Sequence, residues 1–165
     1  VAAHGLAVRA VCLRVADAEA AYTACVEHGA DSAMPPVRVG ADCTAAEVVL
    51  YGDVVLRLLS AADAPPGPQV PLLPGHSVPT LPGIPSPSAG TDADAFQAFT
   101  RVDHVVGNVP RLAGEWERIA RMTGFHEFAE FTAEDVGTVD SGLNSVVLAS
   151  NNEMVLLPLN EPTHG

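Results

Sequence analysis

The sequence contains no lysine, and its eight arginines are outnumbered by twenty acidic residues, which gives a formal net charge of −12. A surface of this sign repels phosphate groups, so binding to nucleic acid or to an anionic membrane is disfavoured. No apolar run approaches the roughly 18 residues of a membrane-spanning helix. The first residues include neither an initiator Met nor a basic segment followed by an apolar stretch, so we expect no signal peptide and a piece of a longer protein.

Cysteine is also scarce, with three residues and no CxxC spacing. This pattern is typical of reduced, buried thiols and indicates a cytoplasmic location. Gly-rich phosphate loops, an HExxH pattern and a Ser/His/Asp arrangement are absent too, which argues against the nucleotide, zinc-protease and serine-hydrolase sites that use them. What the sequence does have is 48% hydrophobic and 17% charged residues, enough to form one ordinary domain or two small modules.

Proline divides the chain into two halves. Nine of the fourteen prolines lie between Ser60 and Phe99, mixed with Gly, Ser, Asp and Ala. Proline can neither continue a helix nor donate to a sheet ladder, so this stretch is predicted to be a connector. The sequence therefore predicts a first module over 1–60, a linker over 61–99 and a second module over 100–165.

The two halves repeat one order of elements. Alternation of apolar residues predicts strands, and the helices have N-cap or N1 signals at Asp17 and Pro110 and glycines at their ends, Gly29 and Gly124. The predicted elements are a strand over 6–15, a helix over 18–28 and strands over 37–39, 46–51 and 54–59, followed by a strand over 101–109, a helix over 110–122 and strands over 125–131, 144–149 and 153–159. This repeat predicts an α+β fold of two βαβββ modules.

A candidate site lies in the second module. Strand alternation puts His104 on an apolar face, whereas the matching position in the first module holds Ala10. Ser145 and Asn160 alternate onto faces of neighbouring strands. If these faces coincide, an imidazole, a hydroxyl and an amide converge on an apolar pocket, as in small-molecule sites. A structural alternative stays open for each residue at this point. His104 could be a hydrogen-bonded core histidine, Ser145 a strand-edge hydroxyl and Asn160 a turn-initiating amide. Pro158 favours a sheet edge or a strand end.

Three segments of the second half carry a resemblance to a known family. They are RVDHVVGNVP at 101–110, GFHEFAEFTAEDVGT at 124–138 and SGLNSVVLASNNEMVLLPLNEP at 141–162. They closely resemble the start of the catalytic domain of the 4-hydroxyphenylpyruvate dioxygenase family. Residues 4–11 and 46–57 resemble the end of the N-terminal domain of that family, in its plant-type branch.

The resemblance implies a vicinal-oxygen-chelate fold and an Fe(II) enzyme that converts 4-hydroxyphenylpyruvate and O2 to homogentisate and CO2, a step of tyrosine catabolism that supplies plastoquinone and tocopherol precursors. It implies that His104 is the first ligand of a two-His-one-carboxylate triad. Ser145 and Asn160 would be polar contacts to the substrate, and Val106 and Pro158 would form part of its apolar wall. The intact parent would be a homodimer.

The sequence departs from the family pattern in one respect. The second histidine and the glutamate ligand of the family lie beyond the position equivalent to Gly165, so the resemblance predicts that this chain alone is inactive. Two alternative functions remain: hydroxymandelate synthase, which uses the same substrate and metal, and a metal-free small-molecule-binding module of the same fold.

Overall fold

The computed structural model of the chain describes residues 5, 7–39, 43–61, 102–131 and 142–163. Nearly all of the predicted linker, together with residues 132–141, lies outside this part. The elements in chain order are β1 (Ala10–Arg14), α1 (Ala18–Glu27), β2 (Ser32–Arg38), β3 (Cys43–Tyr51), β4 (Val54–Ala61), β5 (Gly107–Asn108), α2 (Glu115–Thr123), β6 (His126–Phe131), β7 (Leu143–Ala149) and β8 (Leu156–Pro162). Within this part of the chain, neither helix is long and apolar enough to cross a membrane.

The strands form two four-stranded sheets of the same topology. The strand orders are β1-β4-β3-β2 and β5-β8-β7-β6. In each sheet the first strand pairs in parallel with the last strand, and the other pairs are antiparallel. The predicted α+β arrangement of two βαβββ modules is therefore confirmed.

Local signals set the bounds of α1. The Asp17 carboxylate accepts hydrogen bonds from the amides of Glu19 and Ala20 at 2.9 and 3.0 Å, as an N-cap should. Gly29 follows the helix with a φ of 94°, the left-handed conformation that favours glycine. The predicted cap and the predicted end of this helix are confirmed to within a residue.

The start of α2 differs from the prediction, because the helix begins at Glu115 and not at Pro110. The Leu112 amide donates to the Glu161 carboxylate at 2.8 Å, which fixes the chain in a bend before the helix. Gly114 then has a φ of 84° and donates its amide to the Glu117 side chain at 2.6 Å. This capping interaction starts the helix five residues later than a proline N1 signal predicts.

The first strand of the second module is also shorter than the predicted 101–109. The described part of it consists of a single bridge at His104 and the two-residue strand β5. Between them, no strand pairing is made at Val105 and Val106. The edge strand of this sheet is therefore interrupted immediately after His104.

Strand β8 covers Leu156–Pro162, three residues later than the predicted 153–159. The preceding turn is wider than predicted, since the Ser150 amide donates to the Val155 carbonyl at 3.0 Å and Glu153 has a φ of 56°. Pro158 consequently lies in the middle of a central strand, which corrects its predicted place at an edge or a strand end. The Asn160 carbonyl faces β5, where it accepts a hydrogen bond from the Val109 amide, and Pro158, two residues earlier, has its main-chain nitrogen on the same side. The pairing with β5 is interrupted opposite Pro158, so the lack of an N–H group there breaks no hydrogen bond.

One hydrophobic core serves both modules. It contains Leu50 and Leu56 of the first sheet, Ile119 of α2, and Leu148 and Leu159 of the second sheet, each at most 1% exposed. Burial of this kind contributes roughly 1.5–3 kcal/mol for each large side chain. The helix-side faces of both sheets are therefore covered within a single core.

Two polar and aromatic contacts join the modules at the rim of this core. The ring of Tyr51 lies over Gly107, where a methyl group would be within 2.7 Å of it. The guanidinium of Arg118 donates to the main-chain carbonyls of Val49 and Leu50 at the end of β3. These contacts tie α2 and β5 of the second module to β3 of the first.

Candidate functional site

The face of the second sheet that points away from the core is the candidate site, and we call it the open face. Side chains that pair across a sheet lie on the same face. His104 pairs with Leu156, Leu156 with Ala149, and Ala149 with His126. These four residues form one row from the bridge at His104 across β8 and β7 to β6, with a histidine at each end.

A second row of the open face is polar. Asn108 pairs with Asn160, and Asn160 pairs with Ser145. The Ser145 hydroxyl donates to the Asn160 side-chain oxygen at 2.7 Å, and both side chains are half-buried. The predicted polar contacts Ser145 and Asn160 are thus brought together on one face, directly bonded to each other.

The apolar residues Val106 and Pro158 lie between these two rows. Pro158 is halfway between Leu156 and Asn160 on β8, and Val106 is two residues beyond His104 on the neighbouring segment. Four residues of a strand span about 13 Å. The open face therefore has an imidazole at one end, an amide–hydroxyl pair about 13 Å away, and apolar side chains between them.

Exposure distinguishes His104 from the residues on the core side of this sheet. Val146, Leu148, Leu157 and Leu159 point to the core and are at most 4% exposed, whereas the His104 side chain is 48% exposed. The alternative reading of His104 as a bonded core histidine is therefore wrong. The ring is accessible from the open face.

Among the described residues, the hydrogen bond of the His104 ring is made at one of its two nitrogens. Its Nδ1 lies 2.8 Å from a carboxylate oxygen of Asp103. An imidazole nitrogen with a free lone pair is a common metal ligand, so His104 fits one coordination position. Among the residues that the structure describes, no group of three or more His, Cys, Asp or Glu side chains could hold a metal ion. The described residues therefore offer His104 as a single candidate ligand and do not form a complete triad.

Two further polar residues, Asn108 and His126, also lie on the open face and are not among the candidates that the sequence indicates. Alternation places Asn108, four residues beyond His104, on the same face, but the register is needed to see that it extends the Ser145–Asn160 row. His126 is exposed at the start of β6 and lies in the row of His104. The register irregularity between Glu127 and Ala129 hides this placement from a simple alternation count.

The corresponding face of the first sheet has different chemistry. Ala10 takes the place of the histidine, and the next row contains Cys12, Arg57 and Glu47. Arg57 donates from Nε to the Glu47 carboxylate at 2.6 Å, and Glu47 is only 8% exposed. Burial raises the pKa of the Cys12 thiol, which the nearby Arg57 charge partly offsets. This face holds an internal ion pair where the second module presents an open surface.

None of the protein-family models compared with the chain matches it. Curated plant proteins do match. The 4-hydroxyphenylpyruvate dioxygenase of Hordeum vulgare is 57% identical over 98% of this chain and 34% of that protein. That of Daucus carota is 51% identical over 99% of this chain and 35% of that protein. That of Arabidopsis thaliana is 49% identical over 98% of this chain and 34% of that protein. The chain spans about a third of the length of these relatives.

Solved structures support the same fold. A triple mutant of 4-hydroxymandelate synthase from Streptomyces coelicolor matches 93% of this chain and 40% of its own, with a TM-score of 0.63 at 17% identity. A xylose isomerase-like TIM barrel/4-hydroxyphenylpyruvate dioxygenase fusion protein matches 97% of this chain and 22% of its own, with a TM-score of 0.57 at 21% identity. The predicted fold of the vicinal-oxygen-chelate type is confirmed. The resemblance of the chain to the 4-hydroxyphenylpyruvate dioxygenase family, in its plant-type branch, is confirmed over about a third of the length of those proteins.

Proposed function

We propose that the chain is part of an Fe(II)-dependent dioxygenase that converts 4-hydroxyphenylpyruvate and O2 to homogentisate and CO2. One observation carries the proposal: an accessible histidine and a polar pair lie at opposite ends of an apolar sheet face, in a chain 57% identical to a plant 4-hydroxyphenylpyruvate dioxygenase. An elongated substrate with a keto acid at one end and an apolar ring fits such a face.

In this proposal His104 holds the metal through the ring nitrogen that Asp103 does not engage. The chemistry that Fe(II) supplies when bound is a set of open positions for the keto acid of the substrate and for O2. Val106 and Pro158 contact the substrate and exclude water from it. Ser145 and Asn160 offer hydroxyl and amide groups for hydrogen bonds, and their mutual bond holds both side chains in place.

The organisation of the intact parent belongs to the same proposal. We divide the chain into a first module over 1–60, a linker over 61–99 and a first catalytic module over 100–165. The other two ligands would come from a part of the protein that the described residues do not include, so the 165-residue chain alone would be inactive. We further propose a homodimer that acts in tyrosine catabolism in the cytoplasm, where the three free thiols Cys12, Cys25 and Cys43 stay reduced.

The test is a histidine substitution in the intact parent protein. His104→Ala should abolish bound iron and homogentisate formation and leave the circular dichroism spectrum unchanged, because it removes a ligand from an exposed position and little packing volume. His126→Ala is the matched control, since His126 lies in the same row at the opposite edge of the sheet. It should keep its iron. Full iron content and turnover in the His104→Ala protein would refute the ligand assignment.

Product analysis distinguishes this proposal from its alternatives. Chromatography of the reaction products should give homogentisate, and 4-hydroxymandelate in its place would favour hydroxymandelate synthase. Calorimetry that shows 4-hydroxyphenylpyruvate bound without iron would favour a metal-free binding module. For the 165-residue chain, an oxygen electrode with Fe(II), ascorbate and substrate should record no substrate-dependent O2 uptake.

A further inference from the structure

Asp103 and His104 are neighbours in sequence, yet their side chains meet. A regular strand would direct them to opposite faces. Here the chain is not a regular strand at Val102 and Asp103, and the pairing of this segment to β8 begins with the single bridge at His104. The Asp103 carboxylate therefore reaches around the edge of the sheet to His104 Nδ1, at 2.8 Å. Both side chains remain accessible, at 59% and 48% exposed.

The chemistry of this pair determines which ring nitrogen carries the proton. An ionised carboxylate has lone pairs and no proton to give, so it can only accept a hydrogen bond. In a neutral imidazole one nitrogen is a donor and the other an acceptor. The contact with Asp103 therefore requires the proton on Nδ1 and leaves the lone pair on Nε2. A neutral histidine in water prefers the reverse arrangement, with the proton on Nε2.

We infer that Asp103 is a positioning residue that holds His104 in its Nδ1–H form and thereby presents Nε2 to the open face. The ligand role of Nε2 rests on the proposed function, whereas the Nδ1–H assignment does not. A carboxylate partner of this kind orients a ligating imidazole, and its removal typically weakens metal binding about 10–100-fold. The bond is exposed, so its contribution to the stability of the fold is small.

The test uses the 165-residue chain labelled with 15N at its histidines, in the absence of metal and at a pH where imidazoles are neutral. Long-range 1H–15N correlation spectra distinguish the two neutral forms of each ring, and a His104→Gln variant assigns the His104 signals. We expect His104 in the Nδ1–H form in the wild-type chain. Asp103→Ala should move it to the Nε2–H form, and Asp103→Asn, which keeps the volume and one acceptor oxygen, should retain part of the original population.

Controls exclude an effect of charge or folding. Asp31→Ala removes one exposed acidic side chain of the first module, so it changes the net charge equally and should leave the His104 signals unchanged. Backbone amide spectra of every variant, recorded first, establish that the fold is retained. The other five histidines serve as internal references. A wild-type His104 in the Nε2–H form, or one that Asp103→Ala does not alter, would overturn the inference.

A second measurement separates this inference from the proposed function. Titration with Co(II), a paramagnetic ion, should broaden the His104 ring signals before those of the other histidines, and Asp103→Ala should raise the Co(II) concentration required about tenfold. Absence of preferential broadening, with the Nδ1–H form intact, would leave the positioning of the ring standing and overturn its role as a ligand.

Discussion

Gly107→Ala should destabilise the chain through a contact between the two modules. A Cβ atom at Gly107 would lie 2.5 Å from Cζ and 2.7 Å from Cε1 and from the hydroxyl oxygen of Tyr51. Carbon atoms in contact are about 3.5–4.0 Å apart, so the ring or the strand would have to move by about 1 Å. Tyr51 is 9% exposed and part of the shared core, which leaves it little room to move.

The size of the effect follows from two opposing contributions. Overpacking of a well-packed core costs about 1–3 kcal/mol. Alanine also reduces the conformational entropy of the unfolded chain, which stabilises the folded state by about 0.4–1 kcal/mol. This gain applies at Gly107 because its backbone is not in the left-handed region. We therefore expect a net loss of about 1–2 kcal/mol in the free energy of unfolding. For a chain of this size the melting temperature should fall by about 2–4 °C for each kcal/mol.

Urea unfolding in a double-mutant cycle measures the contact itself. Tyr51→Ala removes the ring, so Gly107→Ala should cost nothing or stabilise slightly in that background. Gly114→Ala is the control, because a Cβ at Gly114 meets nothing within 4 Å and its cost arises from a φ of 84° alone. That cost should be the same with and without the tyrosine. An equal cost of Gly107→Ala in both backgrounds would refute the reasoning.

Two further predictions concern the buried groups. Arg57→Ala should lower the free energy of unfolding in urea by about 2–3 kcal/mol, because it leaves the buried Glu47 carboxylate without its partner. The loss is below the roughly 3–5 kcal/mol of a fully buried broken pair, since the Arg57 side chain is 26% exposed. The double variant Glu47→Leu/Arg57→Met should recover at least half of this loss, and an unchanged stability of Arg57→Ala would contradict the account. Burial raises the pKa of the Cys25 thiol from its ordinary value of 9.0 and the pKa of the Tyr51 hydroxyl from 10.0, so the folded state retains both protons to higher pH than the unfolded state. The stability from these groups is fully present below about pH 9 and is lost as the pH rises through the folded pKa values, so the melting temperature should decline in that range. Cys25→Ala should make the part of the decline that begins near pH 9 smaller. A melting temperature independent of pH in this range would contradict the account.

The features that could be predicted from the sequence depend on nearby residues. The cap at Asp17 and the turn at Gly29 involve bonds within three positions or a single backbone angle. Side-chain alternation likewise gave the correct face for His104, Ser145 and Asn160, since a strand keeps its period of two wherever it is placed in the sheet.

The features that could not be predicted depend on distant residues. The bend before α2 requires the Glu161 carboxylate, which is 49 positions away from Leu112. Pro158 is tolerated in a central strand only because β5 is interrupted opposite it. The shared core likewise depends on contacts across the two halves, such as that of Arg118 with Val49 and Leu50. Alternation within one strand contains no information about such partners.

The parallel pairing of the first and last strands of each module has a kinetic consequence. Gly107 and Leu159 are register partners although 52 positions separate them in sequence. Closing a loop of that length is slow compared with forming the β7–β8 hairpin, so we expect the segment that carries His104 to join its sheet after the rest of the module has formed. Its ladder of two residues is also the shortest in the described structure, so it should open first in native-state hydrogen exchange. We therefore expect the proposed ligand to lie on the last segment to assemble and the first to open.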